Sequence, residues 1–214
     1  MSHDISNMRV DYNHADLLES EVSPDPILEF GIWFNAALGL NIELANAMLV
    51  ATSDSQGRPT ARYVLLKEYN HAGFVFYTNS LSQKGRQLAE NPHAALVFYW
   101  KEMHRQIRIE GMVEQLTSDQ ADKYFATRPR GSQISAWVAP QSDIVPDRVC
   151  LQKRMEELSE QFDKQAVPRP EEWVGYRVIP DLIEFWQGQA NRLHDRLIYL
   201  RKDDGAWTLA RLAP

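Results

Sequence analysis

Short runs rich in β-branched and aromatic residues recur through the middle of the chain, and residues typical of turns separate them. They predict five β-strands, at 47–53, 60–69, 73–79, 93–100 and 106–116. Three more strands are predicted near the carboxyl end, at 173–180, at 182–188 and within 196–212. We expect the last of these to fold as a hairpin over the DDG sequence.

Helical spacing of apolar residues marks other segments. The first helix is predicted to begin at Pro26, because proline suits the first helical position and Asp25 is a suitable N-cap. Its apolar residues at helical spacing are Leu28, Ile32, Trp33, Ala36 and Ala37. Further helices are predicted at 82–92, capped by Ser80 or Ser82, at 117–129, and from about 147 to 164.

This order of elements indicates a mainly β fold with helices, of the α+β class. Many short antiparallel strands with helices at their connections predict a closed or nearly closed β-barrel. Residues 1–24 are polar and irregular, and we expect a flexible N-terminal arm there. No linker or repeat divides residues 25–214, which we interpret as a single domain.

Composition and charge narrow the classes of partner. The net charge of −6 argues against a nucleic-acid-binding surface, so any phosphate must be bound by local basic clusters. The longest apolar stretch, 94–100, is far shorter than the ~20 residues of a membrane-spanning helix, and no signal-peptide centre is present. The single cysteine, Cys150, cannot form an internal disulfide, so we expect a cytoplasmic protein.

Several common motifs are absent. The chain contains no G-x-G-x-x-G and no G-x-x-x-x-G-K-[ST] sequence, which argues against dinucleotide or triphosphate binding by a glycine-rich loop. It also lacks H-E-x-x-H and a cysteine pair, and its histidines show no ligand spacing, so no metal site is predicted.

Basic and hydroxyl residues at strand ends and helix faces form the remaining candidate chemistry. Arg62 and Lys67 would lie on opposite strand faces, so they can share a ligand only if the strand ends at Lys67; solvated strand ends are the alternative. Tyr124 and Arg128 lie at i and i+4 on one helix face, followed by Ser132. These three could hold a phosphate monoester, or the first two could be a surface pair.

Two further segments carry polar groups suited to anions. Tyr77 and Thr78 lie at the end of a predicted strand, and Lys84 follows near a helix start, where anions bind well. The sequence NRLHDR at 191–196 crowds two guanidiniums, an imidazole and a carboxylate into one turn. In an extended backbone its two arginines and His194 would point to the same side, and we interpret Asp195 as orienting or structural.

The motifs RYVLLK, FYTN, RQIRIEG, YFATRPRGSQISAWVAPQS, EFWQG, RLHDR and RLAP occur in this order between residues 62 and 214. In this order they resemble the pyridoxine (pyridoxamine) 5′-phosphate oxidase family, and RLHDR downstream of EFWQG is the most specific of them. The resemblance extends from about residue 8 to the carboxyl end. It implies a split β-barrel homodimer with one FMN in each cleft between subunits.

The resemblance also implies roles for individual residues. FMN contacts are implied for Arg62, Tyr63, Val64, Leu65, Leu66, Lys67, Tyr77, Thr78, Gln83, Lys84, Gln106, Gln141, Ser142, Trp186 and Arg196. Substrate contacts are implied for Arg9, Tyr12, Lys67, Tyr124, Arg128, Ser132, Arg192 and His194, and the last two are the implied catalytic residues. The chain departs from the family pattern at Val10, which replaces a basic residue, and at Gln83, which replaces an arginine beside the lysine that binds the FMN phosphate.

The implied reaction is oxidation of pyridoxamine 5′-phosphate and pyridoxine 5′-phosphate to pyridoxal 5′-phosphate, with O₂ as acceptor and H₂O₂ released. A phenazine-type flavin oxidase of the same fold and a non-catalytic FMN- or pyridoxal-phosphate-binding protein are the alternatives. Retention of Lys67, Tyr124, Arg128 and Ser132 favours the phosphorylated pyridine substrate. The Arg192–His194 pair argues against a non-catalytic protein, although His194 could either move a proton or only pack on the substrate ring.

Overall fold

The computed structural model describes Tyr12 and residues 15–214, and within this part of the chain it has nine strands and five α-helices. The strands are β1 Ala47–Ser53, β2 Pro59–Leu65, β3 Glu68–Asn70, β4 Gly73–Asn79, β5 His93–Trp100, β6 Arg105–Gln115, β7 Trp173–Gln187, β8 Asp195–Arg201 and β9 Trp207–Arg211. The helices are α1 Pro26–Gly39, α2 Gln83–Glu90, α3 Ser118–Thr127, α4 Arg130–Ser135 and α5 Arg148–Gln161. The mainly β fold with helices is confirmed.

All strand pairs are antiparallel and belong to one sheet with the order β2-β1-β5-β6-β7-β4-β3, to which β8 and β9 are added beside β7. The two end strands of this order, β2 and β3, are not paired with each other. The first half of β7 pairs with β4 and its second half with β8, while β6 lies along its other edge. The barrel is therefore split rather than closed, and β7 belongs to both of its parts.

The prediction of two strands at 173–180 and 182–188 is wrong, because β7 is continuous from Trp173 to Gln187. Its register against β6 shifts by one residue, so that Glu110 lies opposite Leu182 and Gly111 opposite Pro180. A Cβ on Gly111 would come within 1.9 Å of the carbonyl oxygen of Ile179. The glycine thus allows the close backbone approach at the bulge, and the strand bends there instead of ending.

Helix α1 begins as predicted. Pro26 is its first residue, and the Asp25 carboxylate accepts a hydrogen bond from the Ile27 N–H at 2.8 Å. The buried face of the helix, however, coincides with the predicted apolar positions only at Trp33 and Ala37. Leu28 and Ile32 are 56% and 57% exposed, whereas the buried residues are Pro26, Ile27, Glu29, Phe30, Trp33 and Ala37. Both sets have helical spacing, so periodicity alone could not choose between them.

Two apolar cores support the fold. The larger one fills the space between α1 and the sheet and includes Phe30, Trp33, Phe98 and Phe185. The smaller one lies under helices α3, α4 and α5, and consists of Phe125, Ile134, Leu158, Phe162, Val167 and Trp173. This second core fixes the helices against the start of β7 and so forms one wall of the cavity described below.

Three features concern the ends and connections. Of the predicted N-terminal arm, the described residue Leu17 is buried, and its N–H binds the Asp195 carboxylate at 3.1 Å. The short helix α4 was not predicted, whereas Ser82, Thr117 and Asp147 cap α2, α3 and α5 near the predicted starts. None of the helices in residues 15–214 has the length and apolar character needed to cross a membrane.

Candidate active site

A cavity of about 1250 Å³ opens between the sheet and helices α3–α5. Its walls come from β2, from the end of β4, from the first turn of α2, and from the 136–145 loop. Five basic side chains line it: Arg62, Lys67, Lys84, Arg128 and Arg148. Of the described acidic residues, two share this lining, Asp143 and Glu156. The excess of positive charge suits an anionic ligand.

Lys84 and Arg62 form the first cationic group of the cavity. The Lys84 ammonium is buried and donates to the Thr78 hydroxyl at 2.9 Å and to the Gln141 amide oxygen at 3.1 Å. Arg62 donates to the hydroxyls of Thr52 and Thr60. Burial, followed by the charge of Arg62, lowers the pKa of Lys84 to about 8. Neither cation has a carboxylate partner within the described residues.

This arrangement is costly without a ligand. A buried ammonium beside a guanidinium is poorly stabilised by neutral hydroxyl and amide groups alone, because its charge stays uncompensated. An anion bound between them would supply the missing charge, and Lys84 in the first turn of α2 has the N-terminal end of that helix beside it. The group is therefore suited to a phosphate.

Lys67 reaches the same cavity because the strand ends before it. β2 ends at Leu65, and Lys67 already lies outside regular strand structure, with its N–H bonded to the Val75 carbonyl at 2.8 Å. The alternation that would separate Arg62 from Lys67 is thus interrupted, and both side chains line the cavity. The strand therefore ends before Lys67, as sharing one ligand with Arg62 requires.

Arg128, Tyr124 and Ser132 form the second polar group of the cavity. The Arg128 guanidinium lies over the Trp173 ring at 4.7 Å and the Phe125 ring at 5.3 Å. Among the described residues its buried Nη1 has no hydrogen-bond partner, and burial lowers the pKa of Arg128. A buried guanidinium N–H that lacks an acceptor costs about 1–3 kcal/mol, which a phosphate oxygen would recover.

Stacked aromatic rings hold this second group in place. The Tyr77 ring stacks on Tyr124 at 4.2 Å and on Trp173 at 5.0 Å between centroids. Gly175 makes room for it, because a Cβ at that position would lie 2.7 Å from the Tyr77 Cε1. Sequence reasoning missed Trp173 and Gly175. Their signal, an aromatic residue and a glycine two apart in a strand, is common in proteins that bind nothing there.

Some of the other residues predicted to contact FMN line this cavity, and some do not. Tyr63, Val64, Leu65, Tyr77, Thr78, Gln141 and Ser142 line the cavity with the cations described above. Leu66 does not, because its side chain packs into the larger core and its N–H and C=O bind Asn46. Gln83 is exposed at the start of α2, where its N–H is 3.4 Å from the Ser142 hydroxyl.

The remaining predicted residues lie apart from this cavity. Gln106, Trp186 and Arg196 are on neighbouring positions of β6, β7 and β8, since Gln106 pairs with Trp186 and Trp186 with Arg196. Trp186 packs on His194 at 4.8 Å, and Tyr12 contacts both rings at 6.0 and 5.6 Å. We call Tyr12, Gln106, Trp186, Arg192, His194 and Arg196 the carboxyl-terminal group. None of them lines the cavity of its own chain. Arg9 and Val10 lie outside the described residues.

The turn that carries Arg192 and His194 is not extended, so the parity argument for it is wrong. Residues Ala190–Arg192 form a 3₁₀ turn, and Asn191 and Arg192 have positive φ of 55° and 65°. Strand β8 starts only at Asp195. Arg192 is exposed, while the Nδ1 of His194 accepts a hydrogen bond from the Gln189 N–H at 3.0 Å.

Asp195 anchors this turn to both ends of the chain. Its carboxylate accepts hydrogen bonds from the Leu17 N–H, from the Gln189 side chain at 2.8 Å, and from Arg211. Arg211 in turn binds Glu19 through both carboxylate oxygens, at 2.8 and 2.9 Å. The interpretation of Asp195 as an orienting residue therefore agrees with its contacts.

The split antiparallel sheet with its cation-lined cavity defines a split-barrel protein whose cavity is suited to an anion. The family profile described as "Pyridoxamine 5'-phosphate oxidase" matches residues 36–162, and the profile described as "Pyridoxine 5'-phosphate oxidase C-terminal dimerisation region" matches residues 173–214. The chain belongs to the pyridoxamine 5′-phosphate oxidase family. Its β7, β8 and β9 lie in the dimerisation region, and the fold is that of a homodimeric split barrel.

Curated relatives match the chain over its whole length. A pyridoxine/pyridoxamine 5′-phosphate oxidase of Nostoc sp. is 48% identical over 214 residues and covers 100% of both chains. The enzyme of the same name from Microcystis aeruginosa is 50% identical over 210 residues, 98% of each chain. Among solved structures, PhzG from Burkholderia lata, in complex with tetrahydrophenazine-1-carboxylic acid, has a TM-score of 0.87 at 32% identity, and covers 93% of this chain and 98% of its own.

Proposed function

We propose that the protein is an FMN-dependent oxidase that converts pyridoxamine 5′-phosphate and pyridoxine 5′-phosphate to pyridoxal 5′-phosphate, with O₂ as electron acceptor and H₂O₂ as product. Full-length relatives at 48% and 50% identity carry the name of this activity. The observation that carries the proposal is the presence of two cationic groups in one cavity: buried Lys84 beside Arg62, and Arg128, whose Nη1 has no partner among the described residues. Lys67 lines the same cavity. Two groups fit two phosphates, one of the cofactor and one of the substrate.

The residues of the first cationic group fit FMN by the chemistry of their donors. Lys84 and Arg62 would hold the cofactor phosphate, and Thr78, Gln141 and Ser142 would complete the donors around it. Bound FMN would supply the two-electron acceptor that no side chain of the protein can provide. The surroundings of Lys84 support this assignment, because a buried ammonium among neutral hydroxyl and amide groups is stabilised when an anion binds beside it.

The second cationic group would bind the substrate phosphate. Arg128 offers its unpaired Nη1, and Tyr124, Ser132 and Lys67 line the same cavity. Arg128 is held by the Trp173 ring rather than by a carboxylate, so its full charge remains available to the ligand. The same residues exclude a neutral group from this position, since such a group would leave the guanidinium uncompensated.

The carboxyl-terminal group completes the site from the other subunit in our proposal. The cavity lies at the start of β7, near Trp173, whereas Trp186 and its neighbours lie at the end of that strand. Thirteen residues of strand span about 40 Å, too far for one small ligand. In a homodimer the carboxyl-terminal group of one chain can meet the cavity of the other. Arg192 would then contact the substrate and stabilise developing charge.

His194 acts in this proposal as a neutral hydrogen-bond donor. Its Nδ1 accepts the Gln189 N–H, so in the neutral ring the hydrogen is on Nε2. Burial and the neighbouring charge of Arg192 lower the pKa of His194, which favours the neutral ring. With Nδ1 already bonded and Nε2 protonated, the ring has no free lone pair to take a proton from the substrate. Its role is therefore to donate from Nε2 and to pack with Trp186.

A second candidate function is oxidation of a phenazine precursor, which the structural similarity to PhzG favours. A non-catalytic FMN-binding protein is the third. The purified protein should be yellow, and H₂O₂ release should be measured with pyridoxamine 5′-phosphate, pyridoxine 5′-phosphate and a reduced phenazine carboxylic acid. We expect peroxide with the two phosphorylated substrates. Peroxide only with the phenazine precursor would support the second candidate, and a yellow protein that releases none would support the third.

Assembly provides an independent test. FMN should stabilise the dimer, so gel filtration of a dilution series should release cofactor and monomer together. A tight FMN-bound monomer would contradict the shared site. We propose the cytoplasm as the compartment, because the single cysteine gives no sign of an oxidising environment.

A further inference from the structure

Glu184 is a buried carboxylate held between two arginines. It lies in β7 directly opposite Arg108 of β6. Its Oε2 accepts hydrogen bonds from Arg108 Nη2 at 2.7 Å and Nε at 3.1 Å, and its Oε1 accepts one from Arg196 Nε at 2.7 Å. Arg108 also pairs with Glu110. The four side chains form a continuous line of alternating charge across β6, β7 and β8.

The cluster keeps Glu184 ionised despite its burial. Burial raises the pKa of Glu184, but hydrogen bonds from Arg196 and Arg108 outweigh this effect, and the net pKa lies below the ordinary value. Burying ion pairs of this kind gives little or no net stability, because the desolvation cost offsets the attraction. Apolar side chains in place of the whole cluster of Glu184, Arg108 and Arg196 could stabilise the fold equally well. Stability alone therefore does not explain the carboxylate.

The contacts of Arg196 indicate what the carboxylate does. Its Nε is bound by Glu184, and its Nη1 donates to the Ala213 carbonyl at 2.9 Å. Acceptors on opposite sides thus bind two of the three guanidinium nitrogens. These two hydrogen bonds fix the plane of the guanidinium. Within residues 15–214 the remaining nitrogen, Nη2, has no hydrogen-bond partner.

We propose that Glu184 is a positioning residue, which fixes the guanidinium of Arg196 in the orientation that contacts the flavin cofactor. This inference rests on the proposed function, in which Arg196 contacts FMN bound to the other subunit. Arg196 alone would be a long, flexible side chain with several accessible rotamers, and ordering it during binding would reduce affinity. The buried carboxylate and the Ala213 carbonyl order it beforehand.

A double-mutant cycle tests this role through the FMN affinity of the apoprotein, measured by quenching of flavin fluorescence. The variants are Glu184→Gln, Arg196→Met and the double variant. Each single change should weaken FMN binding, Glu184→Gln by about tenfold, since one charge-assisted hydrogen bond to Arg196 is weakened. The double variant should bind no more weakly than Arg196→Met alone, because Glu184 acts only through Arg196. Glu110→Gln, which touches Arg108 but not Arg196, is the control and should bind FMN like the wild type.

The outcomes separate the two levels of the proposal. Wild-type affinity of Glu184→Gln, or a fully additive loss in the double variant, would overturn the positioning role. Wild-type affinity of Arg196→Met would refute the flavin contact itself, and the positioning role with it. If Glu184→Gln fails to fold by circular dichroism, Glu184→Asp replaces it, since the shorter side chain keeps the charge but draws the carboxylate away from Arg196. Glu184→Asp should show the same non-additivity with Arg196→Met.

Discussion

Replacing Arg128 with alanine should raise KM far more than it lowers kcat. In the proposed function the guanidinium binds the substrate phosphate, which does not react, so its contribution should be the same in the ground state and the transition state. In the structure Nη1 is buried without an acceptor, and the group is otherwise held only by the rings of Trp173 and Phe125. Its one strong polar contact is therefore expected to form with the ligand.

The magnitude follows from that contact. A charge-assisted hydrogen bond is worth about 1.5–3 kcal/mol, so kcat/KM should fall roughly 10- to 150-fold. Folding stability should hardly change. Loss of the cation–π contacts costs about 0.5–2 kcal/mol. Removal of a buried unpaired donor recovers about 1–3 kcal/mol. The two terms nearly cancel in the ligand-free protein.

The assay is steady-state peroxide release with pyridoxamine 5′-phosphate and with pyridoxamine, which lacks the phosphate. Arg128→Ala should reduce the preference for the phosphorylated compound, while its thermal midpoint without substrate stays close to that of the wild type. Lys123→Ala is the matched control in α3, the helix that Arg128 follows, since Lys123 forms an exposed ion pair with Asp119. Equal losses with both compounds, or unchanged kinetics, would remove Arg128 from the phosphate site.

Three further changes test the cavity. FMN affinity of the apoprotein should fall as the pH rises through about 8, where Lys84 loses its proton, and Lys84→Arg should abolish this dependence. The ligand-free fold should become more stable between pH of about 8 and 10.5, because over this range the unfolded chain holds the Lys84 proton more tightly than the folded chain does. Gln83→Arg should tighten FMN binding by about 1 kcal/mol at low salt and less at high salt, and no gain in a fluorescence titration would mean that Gln83 does not face the phosphate. Gly175→Ala should lower the free energy of unfolding by about 1–3 kcal/mol and weaken ligand binding, because the new Cβ would displace the Tyr77 ring. Wild-type thermal unfolding of Gly175→Ala would contradict that reasoning.

The elements of the fold were predictable because their signals are local. Pro26 and the caps at Asp25 and Ser82 mark helix starts, and runs of β-branched and aromatic residues mark strands. The continuity of β7 through Pro180 was not predictable, since a proline normally ends a strand and only the bulge opposite Gly111 accommodates it. The buried face of α1 was ambiguous because the helix has apolar residues on both sides.

The candidate site was predictable only in part. Pattern and resemblance named the residues, but the sequence does not say which of them meet within one chain. Which residues meet within one chain depends on the path of β7, because this strand separates the cavity from Trp186 and His194. The positions of Arg192 and His194 depend on two positive φ angles at non-glycine residues, which no local rule predicts. Neither Trp173 nor Glu184 was given a role from the sequence, although Glu184 begins the EFWQG motif, because their importance arises from what packs against them.

In the proposed dimer each reaction centre combines the cavity of one subunit, at the start of β7, with the carboxyl-terminal group of the other subunit, at the end of β7. Each subunit therefore contributes to both reaction centres. A defect in the cavity, such as a change at Arg128, and a defect in the carboxyl-terminal group, such as a change at Arg192, would each inactivate a homodimer. Mixed after reversible dissociation, the two inactive proteins would form hybrids in which one centre receives both defects and the other receives neither. The architecture thus allows intersubunit complementation, and two damaged copies of the gene in one cell could together supply the activity that neither supplies alone.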